Sequence, residues 1–245
     1  MFNEIDSKKA VLDSKRPLDK EALNNLKKYF DVDLTYNSNA IEGNTLTITE
    51  TKVILEDGIT IGKGKSLREH LEVINHKEAI DYIDDIVSRD IDISERVIRD
   101  LHYIILKSID NKNAGQYRTT NVLISGSAHR AVEHFYVKEK MNDLVNWYKE
   151  NKDTMHPIQL AAEFHFKFVY IHPFIDGNGR SARLLMNLIL MRNGYPITVI
   201  RNVDREDYMK ALEEASTKNY LNHFVKIVTD AVHRSLDTYL YLINN

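Results

Sequence analysis

The stretch HPFIDGNGRSAR, from His172 to Arg183, gathers a histidine, an acid, two glycines flanking an asparagine, and two arginines. Gly177, Asn178 and Gly179 stand between the end of one apolar helical pattern and the start of another. Backbone N–H groups at a helix N-terminus, where glycines permit close approach, make an anion site whose common guest is phosphate. Arg180 and Arg183 are three apart on the following helix, so both guanidinium groups can reach one anion. Two arginines over a nest of amides suit a polyphosphate. Asp176 then stands where a carboxylate can hold Mg²⁺ against the phosphates, because magnesium takes one or two carboxylates plus phosphate oxygens. His172 is the neighbouring group whose ordinary pKa suits proton abstraction near neutrality. Together these residues describe a hydroxyl attacking a phosphorus of a metal-bound nucleotide. No Gly-Lys-Ser/Thr follows the glycines, so this is not a Walker loop.

The elements that must position these groups read as helices. With only 9 Gly and 4 Pro in 245 residues there are few hard breaks, and apolar residues recur at helical spacing. The pattern predicts a helix from Leu18 to about Phe30, a short turn around Ala40 stopping at Gly43, and a helix capped by Thr49 and ending near Gly58. Leu71, Ile74, Tyr82, Ile83 and Ile86 form the next stripe, and Ser94 caps the helix after it. Further helices are expected at Val137 to Asn151, Pro157 to Tyr170 and Arg180 to Gly194, then around Tyr208 to Ala215 and from Leu221 to Tyr239. One segment, YRTTNVLISGSAHRAVEH, interrupts this pattern. Its β-branched residues and Ser-Gly-Ser turn signal predict a short hairpin. The expectation is one all-α domain over 1–245 carrying a β-hairpin insert.

The His172–Arg183 stretch resembles the signature of the Fic (Fido) family, H-x-F-x-[DE]-G-N-G-R-x-x-R, and matches it at every specified position. AGQYRTTNVLISG, Ala114 to Gly126, is similar to the family's flap segment. On this resemblance the core runs from 94 to 229, preceded by N-terminal helices in 1–93 and followed by the end of the last helix in 230–245. The resemblance implies a Fic-type helical domain with a short β-hairpin flap. It further implies an adenylyltransferase (AMPylase) that moves AMP from ATP to a Ser, Thr or Tyr hydroxyl of a target protein. His172 would be the base, Asp176 the Mg²⁺ ligand, Gly177, Asn178 and Gly179 the anion hole, Arg180 a phosphate clamp and Arg183 the γ-phosphate partner. Ile124, Ser125, Gly126 and Ser127 would lie beside the nucleotide on the flap, which holds the target by strand-like pairing. Tyr208 falls where the family often has an aromatic near adenine. Ser216 stands where relatives often carry an Asn that contacts the base, so base selectivity is the open point.

SNAIEG, Ser38 to Gly43, is similar to the family's inhibitory pattern [ST]-x-x-x-E-[GN], with Ser38, Glu42 and Gly43 at its fixed positions. The resemblance implies that Glu42 pairs with Arg183, in a contact of the bidentate kind typical of Arg–carboxylate pairs, and so refuses ATP its γ-phosphate site. Self-association that moves this segment is one route to release, self-modification is a further expectation, and Ser38 itself is assigned to capping. Alternatives within the family are removal of AMP or transfer of another nucleotide. A non-catalytic nucleotide-binding module is the alternative outside enzymes.

Composition excludes several other classes. The absence of cysteine removes disulfides, zinc-thiolate sites and thiol chemistry together. A net charge of -3 gives no electrostatic case for nucleic acid as a partner. No apolar run approaches a membrane span, and the polar start lacks a secretory pattern, so a cytoplasmic protein without membrane contact is expected. His129, Glu133 and His134 fit no zinc spacing and are assigned to hairpin polarity. His165 is assigned to packing.

Overall fold

A computed structural model describes residues 2–62 and 64–243. Among the described residues ten α-helices follow in order: α1 Asn3–Ser14, α2 Lys20–Ile41, α3 Ile48–Asp57, α4 Leu67–Ser88, α5 Glu95–Leu106, α6 Val137–Asn151, α7 Pro157–Ile171, α8 Asn178–Arg192, α9 Arg205–Lys218 and α10 Asn222–Ile243. Among the described residues there is no strand, so the all-helical expectation holds. No described helix is long and apolar enough to cross a membrane.

The axis of the fold is α8. Every residue from Arg180 to Leu190 is buried, the pattern of a helix packed on all sides rather than along one stripe. It packs against α7, α4, α5 and α2. Its apolar positions, Leu184, Leu185, Leu188 and Ile189 among them, join the main core with Phe164 and Phe168 of α7 and Ile98 and Leu101 of α5. Asn187 is a polar exception with a purpose. Its amide donates to the Arg183 and Thr198 carbonyls, and its oxygen accepts from Thr198 N, which pins the chain after α8 alongside it.

Three local expectations are corrected and one helix is added. The two pieces read around Phe30 and Ala40 are one helix, α2. The polar run Asn37-Ser38-Asn39, poor in helix propensity, is buried and finds tertiary partners: Asn37 accepts from Asn202 N, Ser38 meets Arg183, and Asn39 donates to the Glu72 carbonyl. The cap of α3 is Thr47, not Thr49, because Glu50 completes a capping box with it. The polar N-terminus forms α1, whose Ile5 and Leu12 are buried on the side facing α10.

The last correction concerns the hairpin. Residues 119–133 form an extended loop with a turn at its tip, where Ser127 N bonds Ile124 O at 3.2 Å. Its two arms are bridged by side chains instead of a backbone ladder. The buried Arg118 guanidinium donates to Thr120 O and Val132 O, and Asn121 accepts from His134 N.

Candidate active site

The turn from α7 into α8 places His172. It takes the left-handed conformation at φ 53°, closing α7 as its C-cap, a geometry that non-glycine residues adopt infrequently and that neighbours must hold. Arg118 supplies the hold, donating from Nε to the His172 carbonyl at 2.8 Å while its own N–H bonds Pro173 O at 3.0 Å. Burial, and secondarily the Arg118 charge, lower the His172 pKa to about 4 against the opposing pull of the Val169 backbone and Glu42. The imidazole is therefore neutral at pH 7, the state a base requires.

Three further residues stiffen the loop. Asn178 closes it by accepting from Phe174 N at 3.0 Å and donating to Phe174 O at 2.9 Å. What Asn178 offers a ligand is therefore its backbone N–H, not its amide. His102 of α5 stacks on Phe174 with centroids 3.5 Å apart. Its Nδ1 accepts from Gly115 N, which leaves Nε2–H to donate to the Asp176 carbonyl at 2.9 Å. Gly177, at φ 78°, caps α8 without a side-chain acceptor, so the first-turn N–H groups remain directed at the site.

Asp176 is ringed by cations. Its Oδ2 lies 2.5 Å from Arg68 and its Oδ1 3.3 Å from Arg180. Burial pushes its carboxyl pKa up, but Arg180, the Gly177 N–H and Arg68 outweigh this and hold it below the ordinary value. Among the described residues no group of three or more acidic, His or Cys side chains could hold a metal alone. A single ionised carboxylate beside an anion nest is nevertheless the donor set magnesium uses when phosphates supply the remaining ligands. The residues fit that ion.

Glu42 follows directly on the last residue of α2, and its carboxylate lies over the nest. A Cβ built on Gly179 would sit 2.1 Å from Glu42 Oε1, so only glycine admits this approach. The same oxygen accepts from Arg183 Nη2 at 2.7 Å. The pair uses one oxygen and one nitrogen, not the expected fork, because the rest of the guanidinium is committed. Arg183 donates to Ser38 Oγ at 3.1 Å, the Ser38 carbonyl at 2.8 Å and Tyr208 Oη at 3.3 Å.

Two residues expected beside the base are differently exposed. Tyr208 is 1% exposed on the inner face of α9, and its hydroxyl joins Arg183 to His165 Nε2 at 3.1 Å. It presents no ring face to a base; it supports Arg183. Ser216 lines a cavity of about 780 Å³ between α6, α7 and the end of α9, with Trp147, Phe166 and Tyr170. That cavity contains none of the His172–Arg183 residues. Ile124, Ser125, Gly126 and Ser127 form the loop tip, fastened to α9 where Glu213 accepts from Ser127 Oγ and from Ala128 N. Sequence reading missed His102, Arg118, Glu213, Arg68 and Glu72. A histidine within the apolar α5 stripe was the one local signal available.

Comparison with known proteins decides the family. A crystallised Fic domain containing signaling protein from Bacteroides thetaiotaomicron superposes with a TM-score of 0.88 at 31% identity, covering 99% of this chain and 97% of that one. The chain belongs to the Fic family. Residues 92–190 match the Fic/DOC family. A Fic-1 fragment from Caenorhabditis elegans superposes with a TM-score of 0.87 at 36% identity, over 97% of this chain and 71% of that one. The Protein adenylyltransferase Fic of Nematostella vectensis is 40% identical over 207 residues, 84% of this Fic chain and 48% of that protein. The chain thus spans about half the length of the curated relatives it matches.

Proposed function

We propose that this chain transfers AMP from ATP to a hydroxyl on a protein, and that α2 restrains the reaction. The observation that carries the reading is the Glu42 carboxylate seated over Gly179 and bonded to Arg183. A carboxylate in that place marks where the phosphate anion belongs. The curated relatives named protein adenylyltransferase support the choice of reaction.

In this reading the phosphates of ATP take the N–H groups at the start of α8, with Arg180 and Arg183 neutralising them. Asp176 would hold Mg²⁺, which when bound withdraws charge from the phosphates. Neutral His172 accepts the proton of the target hydroxyl as its oxygen bonds the α-phosphorus. The bond from that phosphorus to the bridging oxygen breaks and pyrophosphate leaves. The exposed arms of the 119–133 loop lay out the target segment by backbone pairing, gaining on binding the ladder they lack alone. With Glu42 in place the γ-phosphate and the carboxylate compete for Arg183, so ATP binds with its α-phosphorus out of line.

The test compares purified wild type and Glu42→Gly with [α-³²P]ATP and Mg²⁺, reading label on the protein itself and on added lysate proteins. Losing one charge-assisted hydrogen bond to the inhibitor corresponds to about a 10- to 100-fold gain in labelling. Equal labelling by both forms overturns the restraint. Label carried from [γ-³²P]ATP instead overturns AMP transfer.

A further inference from the structure

Arg68, in the first turn of α4, stands outside the family signature and is tied to its acid. Four side chains form a closed ring of alternating charge: Arg68 to Asp176 at 2.5 Å, Asp176 to Arg180 at 3.3 Å, Arg180 to Glu72 at 3.4 Å, and Glu72 to Arg68 at 3.1 Å. The two cations are not equivalent. Arg180 is 2% exposed and fixed on α8, whereas the Arg68 side chain is 57% exposed on the rim. If Arg68 leaves, Glu72 keeps Arg180, and its other oxygen keeps Asn44 at 2.9 Å. Asp176 Oδ1 already serves Arg180 and the Gly177 N–H. The oxygen a divalent cation can claim is thus Oδ2, which Arg68 holds.

We infer that Arg68 is a positioning residue that holds the Asp176 carboxylate in place until the divalent cation displaces the guanidinium. The inference rests on the adenylyl-transfer reading above, in which Asp176 holds that cation. A divalent cation bound at Oδ2 and a guanidinium on the same oxygen repel one another, so the two compete for it. Arg68 therefore swings into solvent as metal and nucleotide arrive, and its hold sets the metal concentration the enzyme needs. Loss of a half-exposed pair predicts a modest change.

The experiment titrates Mn²⁺ into the Glu42→Gly chain, alone and with the non-hydrolysable analogue AMPCPP, and follows free Mn²⁺ by electron paramagnetic resonance. Arg68→Gln should lower the half-saturating Mn²⁺ concentration about two- to five-fold, and Arg68→Glu should lower it further. Arg68→Lys should stay within about two-fold of Arg68, since it keeps the charge. Thermal melts establish that each variant is folded. Affinity that ignores both Gln and Glu, or weakens with them, overturns the inference while Asp176→Asn still abolishes binding. Mn²⁺ binding indifferent to Asp176→Asn overturns the metal reading itself, and this inference with it.

Discussion

Two loops without regular structure frame the site, and they are built in opposite ways. The turn from His172 to Gly177 is fastened at nearly every residue, by Arg118, His102 and the Asn178 side chain. The 119–133 loop is fastened at its base by Arg118 and at its tip by Glu213, and between them Leu123 is 90% exposed. One loop is preorganised for chemistry, where misplacement by an ångström is costly. The other, on the adenylyl-transfer reading, offers its exposed stretch to a target segment. Arg118 anchors both, so the rigid loop is the floor on which the adaptable one stands.

The comparison is sharpened most by removing His172, the proposed base. In the Glu42→Gly background His172→Ala should reduce AMP transfer about 10²- to 10⁴-fold with ATP binding retained, measured by label incorporation and equilibrium dialysis. A second test uses pH. The His172 pKa is lowered to about 4, so the base stays neutral well below the ordinary histidine value of about 6.5. The acid limb of the rate profile should then fall below pH 5. The sign for stability runs the same way. Buried His102 and His76, lowered to about 4 and about 3, contribute stability that is intact above about pH 6.5, the unfolded value, and lost as pH falls toward the folded values. Circular dichroism at each pH separates unfolding from titration, and an acid limb near 6.5 in folded protein would break the picture.

Much of the rigid loop was legible because its chemistry is local. Histidine, acid, glycines and arginines at short spacing fix both the anion nest and the helix that follows. Helix positions were legible for the same reason, from Ser94 and Pro157 at their starts to the Leu184–Ile189 face. What was not legible lies in long-range partners. Nothing beside Arg68 in sequence announces Asp176, 108 residues away. The helicity of Asn37-Ser38-Asn39 depends on Arg183, Asn202 and Glu72, and the arms of the 119–133 loop are bridged by a guanidinium that reaches carbonyls of both. Tyr208 shows the limit most plainly. Its position in the chain suggested a base contact, yet burial on the inner face of α9 gives its hydroxyl to Arg183.

Asn178→Ala probes the fastening itself. It leaves Phe174 N and O without their bonds inside the protein, which should cost about 2 kcal/mol and lower the urea midpoint. AMP transfer should fall with it, because His172 and the α8 N-terminus are no longer held in one geometry.

Leu123→Ser probes the other loop and should do the least to the molecule. At 90% exposure the side chain buries almost nothing within its own chain, so stability should change by less than about 0.5 kcal/mol and the half-saturating ATP concentration should be unaltered. If the loop lays out target segments, covering that leucine is part of binding, worth up to about 1.5 kcal/mol. Labelling of lysate proteins by Glu42→Gly should then drop several-fold on adding Leu123→Ser, with self-labelling as the internal reference. A change in ATP affinity instead would place Leu123 on the nucleotide side of the loop and erase the division of labour between the two.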